Sequence, residues 1–237
     1  MGLNGKTGVV VVAAGRGTRM GTAESKQYLR LDDKPILIHT LRALERMTFI
    51  DQIVLVTGAD DVERCRRWIE QEGLSKTARI ISGGRERQDS VYEGLKALPS
   101  GIEWVLVHDG VRPFAASHHV KACLERAWVT DAAVLAVPVK DTIKIVNGEG
   151  VITATPDRSS LWAIQTPQAF RHALLLEAHE RARRENFTGT DDAMLVERLE
   201  RSVSVVEGDY YNIKITTPED MPWAEWILRN VRGEGNE

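Results

Sequence analysis

The chain has 237 residues, 43% of them hydrophobic, enough to bury a large core as one domain but too little for two full ones. With 31 basic against 34 acidic residues the net charge is -3, which gives no global positive field for a nucleic-acid backbone. No apolar run approaches the ~20 residues of a membrane span, and two cysteines, Cys65 and Cys123, cannot build the disulfide framework of a small secreted fold. The expectation is a cytoplasmic protein that binds neither nucleic acid nor membrane.

The apolar, β-branched run Gly8 to Ala14 reads as a central strand buried on both faces of a parallel sheet. Ile36, Leu37, Thr40, Leu41 and Leu44 recur at helical spacing behind Pro35, a residue favoured in a first helical turn. A second strand is expected at Gln52 to Thr57, a helix from about Asp60 to Glu72, a third strand at Arg79 to Ser82, a helix at Arg87 to Leu98 and a fourth strand at Trp104 to His108, ending at Asp109. Ser117 caps a helix running to about Trp128, Ala133 to Val137 returns as a strand, and a long helix covers Arg171 to Glu185. The basic cluster in that helix, Arg181, Arg183 and Arg184, is flanked by Glu180 and Glu185 and reads as a solvated face. Thr190 opens a further helix, and Tyr211 to Ile215 alternates like a strand. The rhythm is that of an α/β fold: an open, mostly parallel, doubly wound, Rossmann-like sheet in a single domain spanning 1–237.

One stretch breaks the rhythm. Val139 to Val146 and Val151 to Thr155 are β-prone and joined by Asn147-Gly148-Glu149-Gly150, a strong hairpin signal. A lone two-stranded hairpin is marginal in water and needs something to pack on. The polar alternation does not suit the middle of the main sheet, so residues 139–158 read either as a projecting arm that docks on a second subunit or as an edge hairpin lying on its own domain.

The first strand leaves into Ala13-Ala14-Gly15-Arg16-Gly17-Thr18-Arg19-Met20, a glycine-bearing loop with two cations, and Lys26 follows. Glycines let backbone amides approach phosphate oxygens, and Arg19 and Lys26 can neutralise charge that builds up when phosphorus is attacked. The spacing is not that of a dinucleotide-binding loop, because Met20 stands where the third glycine belongs, and the Lys-Ser/Thr pair of a P-loop is missing. Asp109, at the carboxyl end of a strand, stands where open α/β sheets place their ligands, and its hard carboxylate suits a magnesium ion bridging nucleotide phosphates. Arg112 just beyond it is placed to hold an anion or to support the loop. Lys214, between apolar neighbours, must reach water or an anion. No histidine or cysteine cluster has metal-ligand spacing, which argues against zinc chemistry.

The loop, with Lys26-Gln27-Tyr28 after it, resembles that of the nucleotidyltransferases that activate sugars and polyols, and most specifically the methylerythritol phosphate cytidylyltransferases. Gly83-Gly84-Arg85-Glu86-Arg87-Gln88-Asp89-Ser90, Val107-His108-Asp109-Gly110-Val111-Arg112-Pro113, Asp141-Thr142-Ile143-Lys144, Thr166-Pro167-Gln168, Thr190-Asp191-Asp192-Ala193 and Asn212-Ile213-Lys214-Ile215-Thr216 follow in the family's order over nearly the whole chain. Gly110-Val111 departs from the family's usual pair of alanines.

The resemblance implies transfer of CMP from CTP to a polyol phosphate with Mg²⁺, in a homodimer joined through the arm. It implies CTP contacts at Ala13, Ala14, Gly15, Gly84 and Ser90, and phosphate contacts at Arg19, Lys26 and Lys214. Acceptor contacts are implied at Asp109, Arg112, Thr190 and, from the partner's arm, Thr142 and Arg158. Asn212 is a second candidate for the metal. An acceptor phosphate is already ionised at neutral pH, so the reaction needs alignment and charge relief rather than a Ser, Cys or His nucleophile, and His108 reads as structural. Ribitol 5-phosphate cytidylyltransferases share the loop and fold, so the acceptor stays open between methylerythritol and ribitol phosphate. A non-catalytic regulator would have lost charged groups that are all present here.

Overall fold

The computed structural model describes residues 5–15 and 24–231. The chain begins with β1 (Lys6–Ala13), a turn of 3-10 helix at Lys26–Tyr28, the short strands β2 (Arg30–Leu31) and β3 (Lys34–Pro35), and α1 (Ile36–Glu45). β4 (Gln52–Thr57), α2 (Val62–Glu72), β5 (Thr77–Ser82), α3 (Arg87–Ala97), β6 (Ile102–Asp109), α4 (Ser117–Thr130) and β7 (Ala132–Pro138) continue the alternation. Then come β8 (Ile145–Val146), β9 (Ile152–Ala154), β10 (Trp162–Arg171), α5 (His172–Arg184), α6 (Asp192–Glu197), β11 (Ser204–Glu207) and α7 (Asp220–Asn230).

Seven strands form one sheet in the order β11-β7-β10-β6-β1-β4-β5. Neighbours are parallel except β10, which runs antiparallel to both β6 and β7. The strand period of two decides the layering. Val9 and Val11 of β1 join a core with α1, α2 and α4, while Val10 joins a second core with α3, α5 and α6 on the opposite face. Each such valine or leucine taken fully out of water contributes about 1.5–3 kcal/mol, so apolar side chains on both faces commit the sheet to two covering layers. A third cluster, with Leu31, Ile36, Val111 and Ile215, lies under α7. Among the described residues no helix is long and apolar enough to cross a membrane.

The structure differs from the sequence reading in six places. β10 was not expected: Gln165, Thr166, Pro167 and Gln168 look wrong for a central strand, but the ladder to β7 shifts between Ile164 and Gln168, which accommodates a proline without a donor. β11 and α7 were not expected either. Tyr211 to Ile215 is not a strand, because the Asp209 side chain accepts from the Tyr211 amide at 2.8 Å and the Asp209 carbonyl from the Asn212 amide at 3.0 Å, turning the backbone away from a ladder. Ser117 is the first helical residue rather than the cap, which is Ala116 in extended conformation. Thr190 does not open a helix; Asp191 caps α6 by accepting from the Met194 amide at 3.0 Å.

The hairpin is present, with strands shorter than the β-prone segments. Ile145 pairs with Ala154 and Val146 with Ile152, and residues 141–155 are exposed throughout. Asn147 builds the turn by accepting from the amides of Glu149 and Val151 at 3.1 and 2.9 Å, and Gly150 takes the left-handed φ of 82° that closes it.

Candidate active site

A cavity of about 240 Å³ opens at the carboxyl ends of β1 and β6. Ala13, Ala14 and Gly15 form one wall, Lys26 and Gln27 a second, and residues 84–87 with Ser90 a third, while Asp109, Val111 and Lys214 complete the lining. Local contacts explain the placement. Gln27 donates from Nε2 to the Ala13 carbonyl at 2.7 Å, which pins the 3-10 turn carrying Lys26 against the end of β1. The hydroxyls of Tyr28 and Thr57 meet beneath it. On the third wall Ser90 accepts from the Gly84 amide at 3.2 Å and donates to the Glu86 carbonyl at 3.1 Å. Gly83 has no room for a side chain: a Cβ there would lie 2.5 Å from Ser90 Oγ and 2.6 Å from Ala14 Cβ, so the glycine lets the Ala14 and Ser90 walls come together.

Asp109 is the charge centre. Its carboxylate lies 2.8 Å from Lys214 Nζ, 3.2 Å from Arg87 Nε and 3.7 Å from Arg112 Nε. Burial works against the charged form, but Arg87, Lys214 and Arg112 together hold the carboxyl well below the usual range. Arg87 shows the same balance from the other side: burial disfavours its charge, and Asp192 and Asp109 outweigh that cost. Burial pushes the Arg112 guanidinium below its ordinary value against the pull of Asp109, and its Nη1 donates to the Asn212 carbonyl at 2.6 Å. Arg112 therefore stands behind Asp109 as support; it does not line the cavity.

His108 is fully buried and held neutral, its pKa lowered to about 4 chiefly by burial. Nε2 donates to the Arg112 carbonyl at 3.1 Å, so Nδ1 accepts from the Thr166 hydroxyl at 3.0 Å, and Thr166 Oγ1 accepts from the Asp109 amide at 3.0 Å. This chain of bonds fixes the end of β6, a structural role as expected from the sequence.

Of the residues expected at the site, Ala13, Ala14, Gly15, Lys26, Gly84, Ser90, Asp109 and Lys214 share the cavity. Thr142 and Arg158 do not join it: both are exposed on the arm, and Arg158 Nη1 donates to its own arm's Lys140 carbonyl at 3.0 Å. Thr190 is exposed on the loop before α6 and is likewise outside the lining. Arg19 lies outside the described residues. Sequence reasoning missed Arg87 and Asp192, paired at 2.7 Å, and the anchoring role of Gln27.

Residues 7–230 match the model of the IspD family, 2-C-methyl-D-erythritol 4-phosphate cytidylyltransferase. The chain belongs to this family. An IspD relative named 2-C-methyl-D-erythritol 4-phosphate cytidylyltransferase, from Geotalea uraniireducens, is 50% identical over 228 residues, covering 95% of this chain and 97% of the relative. A protein of the same name from Halalkalibacterium halodurans is 50% identical over 220 residues, with 93% and 96% covered. Among solved structures, 4-diphosphocytidyl-2C-methyl-D-erythritol synthase from Anaerococcus prevotii superposes with a TM-score of 0.85 at 34% identity, covering 95% of this chain and 97% of that one. The 2-C-methyl-D-erythritol 4-phosphate cytidylyltransferase of Thermus thermophilus gives 0.76 at 32% identity, with 94% and 99% covered. Like the IspD family as a whole, the chain is a nucleotidyltransferase, and the ribitol reading is not favoured. The family's usual alanine pair is replaced here by Gly110, where a Cβ would lie 3.0 Å from Ala13 Cβ, and by Val111, which packs into the third cluster.

Proposed function

We infer that the chain transfers CMP from CTP to 2-C-methyl-D-erythritol 4-phosphate, releasing pyrophosphate and forming 4-diphosphocytidyl-2-C-methyl-D-erythritol for isoprenoid precursor synthesis. The observation that carries this reading is the Lys214–Asp109 pair, 2.8 Å apart at a glycine-walled cavity on the carboxyl edge of the sheet. A long-stemmed cation and a hard carboxylate meet there, next to backbone able to approach phosphates.

In this reading Ala13, Ala14 and Gly15 present backbone to the nucleotide, and Gly84 and Ser90 hold its cytidine part in the walls they already shape. An oxygen of the acceptor phosphate attacks the α-phosphorus of CTP; the new P–O bond forms as the bond to pyrophosphate breaks, and the leaving oxygen keeps the electron pair. Lys26, Lys214 and Arg19 stabilise the charge that gathers on the α-phosphate and pyrophosphate. Asp109 and Thr190, with Arg112 behind, face the acceptor side, and Thr142 and Arg158 reach it from the arm of a second copy. The exposed apolar arm residues Ile145, Val146, Val151 and Ile152 support that homodimer, since a two-fold contact gives both arms the buried face they lack.

The donor set fits a magnesium ion that arrives on phosphates. Among the described residues no group of three or more His, Cys, Asp or Glu side chains forms a cage. Asp109 offers one carboxylate, and Asn212 Oδ1 is a buried oxygen without a partner; Mg²⁺ is commonly held by one or two protein oxygens plus substrate phosphates. When bound, the ion supplies charge neutralisation at the phosphates.

The test is product formation, followed by ³¹P NMR and pyrophosphate release, with CTP, UTP, ATP and GTP against methylerythritol 4-phosphate, ribitol 5-phosphate and erythritol 4-phosphate. The expected result is turnover with CTP and methylerythritol 4-phosphate, abolished by a chelator. Preference for another acceptor, or no pyrophosphate with any pair, overturns the assignment.

A further inference from the structure

The first turn of α3 touches both sides of the site. Its approach, residues 84–86, lines the cavity, and the turn is locked by a capping box in which the Glu86 amide donates to Asp89 Oδ2 at 3.3 Å. Arg87 then reaches in two directions. Its Nε lies 3.2 Å from Asp109 Oδ1 and its Nη1 2.7 Å from Asp192 Oδ2, a carboxylate that is 1% exposed. Gln88 follows and grips the irregular loop that carries Thr190, donating to the Phe187 carbonyl at 3.0 Å and accepting from the Gly189 amide at 2.9 Å. The far end of that loop is held in the same two-handed way by Gln168 of β10, which donates to Asp191 Oδ2 at 2.8 Å and accepts from the Ala193 amide at 3.2 Å.

We propose that Arg87 and Gln88 are positioning residues for the acceptor, holding residues 187–193 and so Thr190 at a fixed separation from Asp109. The inference rests on the cytidylyltransferase reading and extends it to residues that act through others. Arg87 is rigid where a lysine is not: its planar fork spans two carboxylates of different elements, which one ammonium cannot do with the same geometry. Gln88 supplies the loop with the donor and acceptor it has no partner strand to provide. Because both side chains leave one helical turn, the nucleotide wall and the acceptor loop move as one body. A small shift of a positioning group is enough to cost a large factor in rate.

The experiment uses the full-length protein and measures steady-state constants for methylerythritol 4-phosphate, with CTP affinity measured separately by calorimetry without acceptor. Gln88→Ala is expected to raise the acceptor KM about tenfold, the equivalent of one to two lost hydrogen bonds, with CTP affinity unchanged within about twofold. Gln88→Glu, which still accepts from Gly189 but no longer donates to Phe187, should fall between the two. Arg87→Lys should lower kcat/KM for the acceptor by more than Gln88→Ala does. Changes of equal size for CTP and acceptor, or normal acceptor constants in Gln88→Ala and Arg87→Lys, overturn the inference and leave the enzyme assignment standing. A wild type that binds CTP but makes no product overturns both.

Discussion

The cavity at the end of β6 and the arm at residues 139–158 surround their charged groups in opposite ways. Asp109 is 6% exposed, and each of its oxygens already faces a cation supplied by α3, the segment after β6 or the stretch around Lys214. Arg158 stands in solvent, and its guanidinium donates back to the arm's own backbone. The first region is organised before any ligand arrives, because two packed faces of a sheet fix it; the second is exposed along residues 141–155. Buried groups of the first kind, such as Asp109, should matter for stability and chemistry together, and groups of the second kind for chemistry alone, in an assembly that brings the arm to a site.

The largest effect is expected from the cation at the cavity mouth. Lys214→Ala should lower turnover by about a hundredfold or more, because removing one preorganised donor from developing charge costs about 3 kcal/mol. Lys26→Ala and Arg19→Ala belong to the same class. Folding should survive in Lys214→Ala, since the side chain is 38% exposed. Near-normal turnover with CTP and Mg²⁺ would show that the cavity is not where the bond forms.

Asp109→Asn should strike stability and ligand together. It leaves Arg87 and Arg112 without their shared carboxylate, and breaking a buried pair from one side costs about 3–5 kcal/mol. The checks are a urea titration and calorimetry of CTP with and without Mg²⁺; metal-dependent CTP affinity equal to wild type removes Asp109 from the metal site. Arg158→Ala sharpens the contrast: unfolding should match wild type, CTP binding should be kept, and acceptor turnover should fall about tenfold to a hundredfold, the range for a lost charged hydrogen bond. A drop in monomer stability would mean that the arm packs on its own domain.

The smallest effect concerns the scaffold. Burial pushes the Cys123 thiol up to about 12, so a thiol reagent at pH 8 should leave it unmodified in the native protein, whereas Val146→Cys on the arm should react at once. Rapid native labelling of Cys123 would mean that the helix layer under β7 opens.

Where local chemistry and tertiary packing agree, the sequence was readable. β1, β4 and β6 announce themselves as unbroken apolar runs, and Asp109 at the end of one of them lies where the cavity opens. Asn147-Gly148-Glu149-Gly150 likewise turns where its residues demand. β10 was hidden because its buried Gln165, Thr166 and Gln168 are polar, and their partners, such as the Asp209 carbonyl and the Asp191 carboxylate, lie far along the chain. The strand expected at Tyr211 failed because Asp209 takes the backbone donors first. Arg87 was hidden for a related reason: its worth comes from Asp109 and Asp192, separated from it by 22 and 105 residues. No local pattern encodes such a bridge.

The claim that cavity and arm are two halves of one shared site is tested most directly by mixing subunits. Arg158→Ala and Lys26→Ala, each impaired alone, are combined under conditions that exchange chains, and turnover with CTP and methylerythritol 4-phosphate is followed. A mixed dimer carries one site with both defects and one with none, and random exchange makes about half the dimers mixed, so activity should rise toward about a quarter of wild-type sites. A monomer by sedimentation, or verified exchange with no gain in activity, would contradict the shared site.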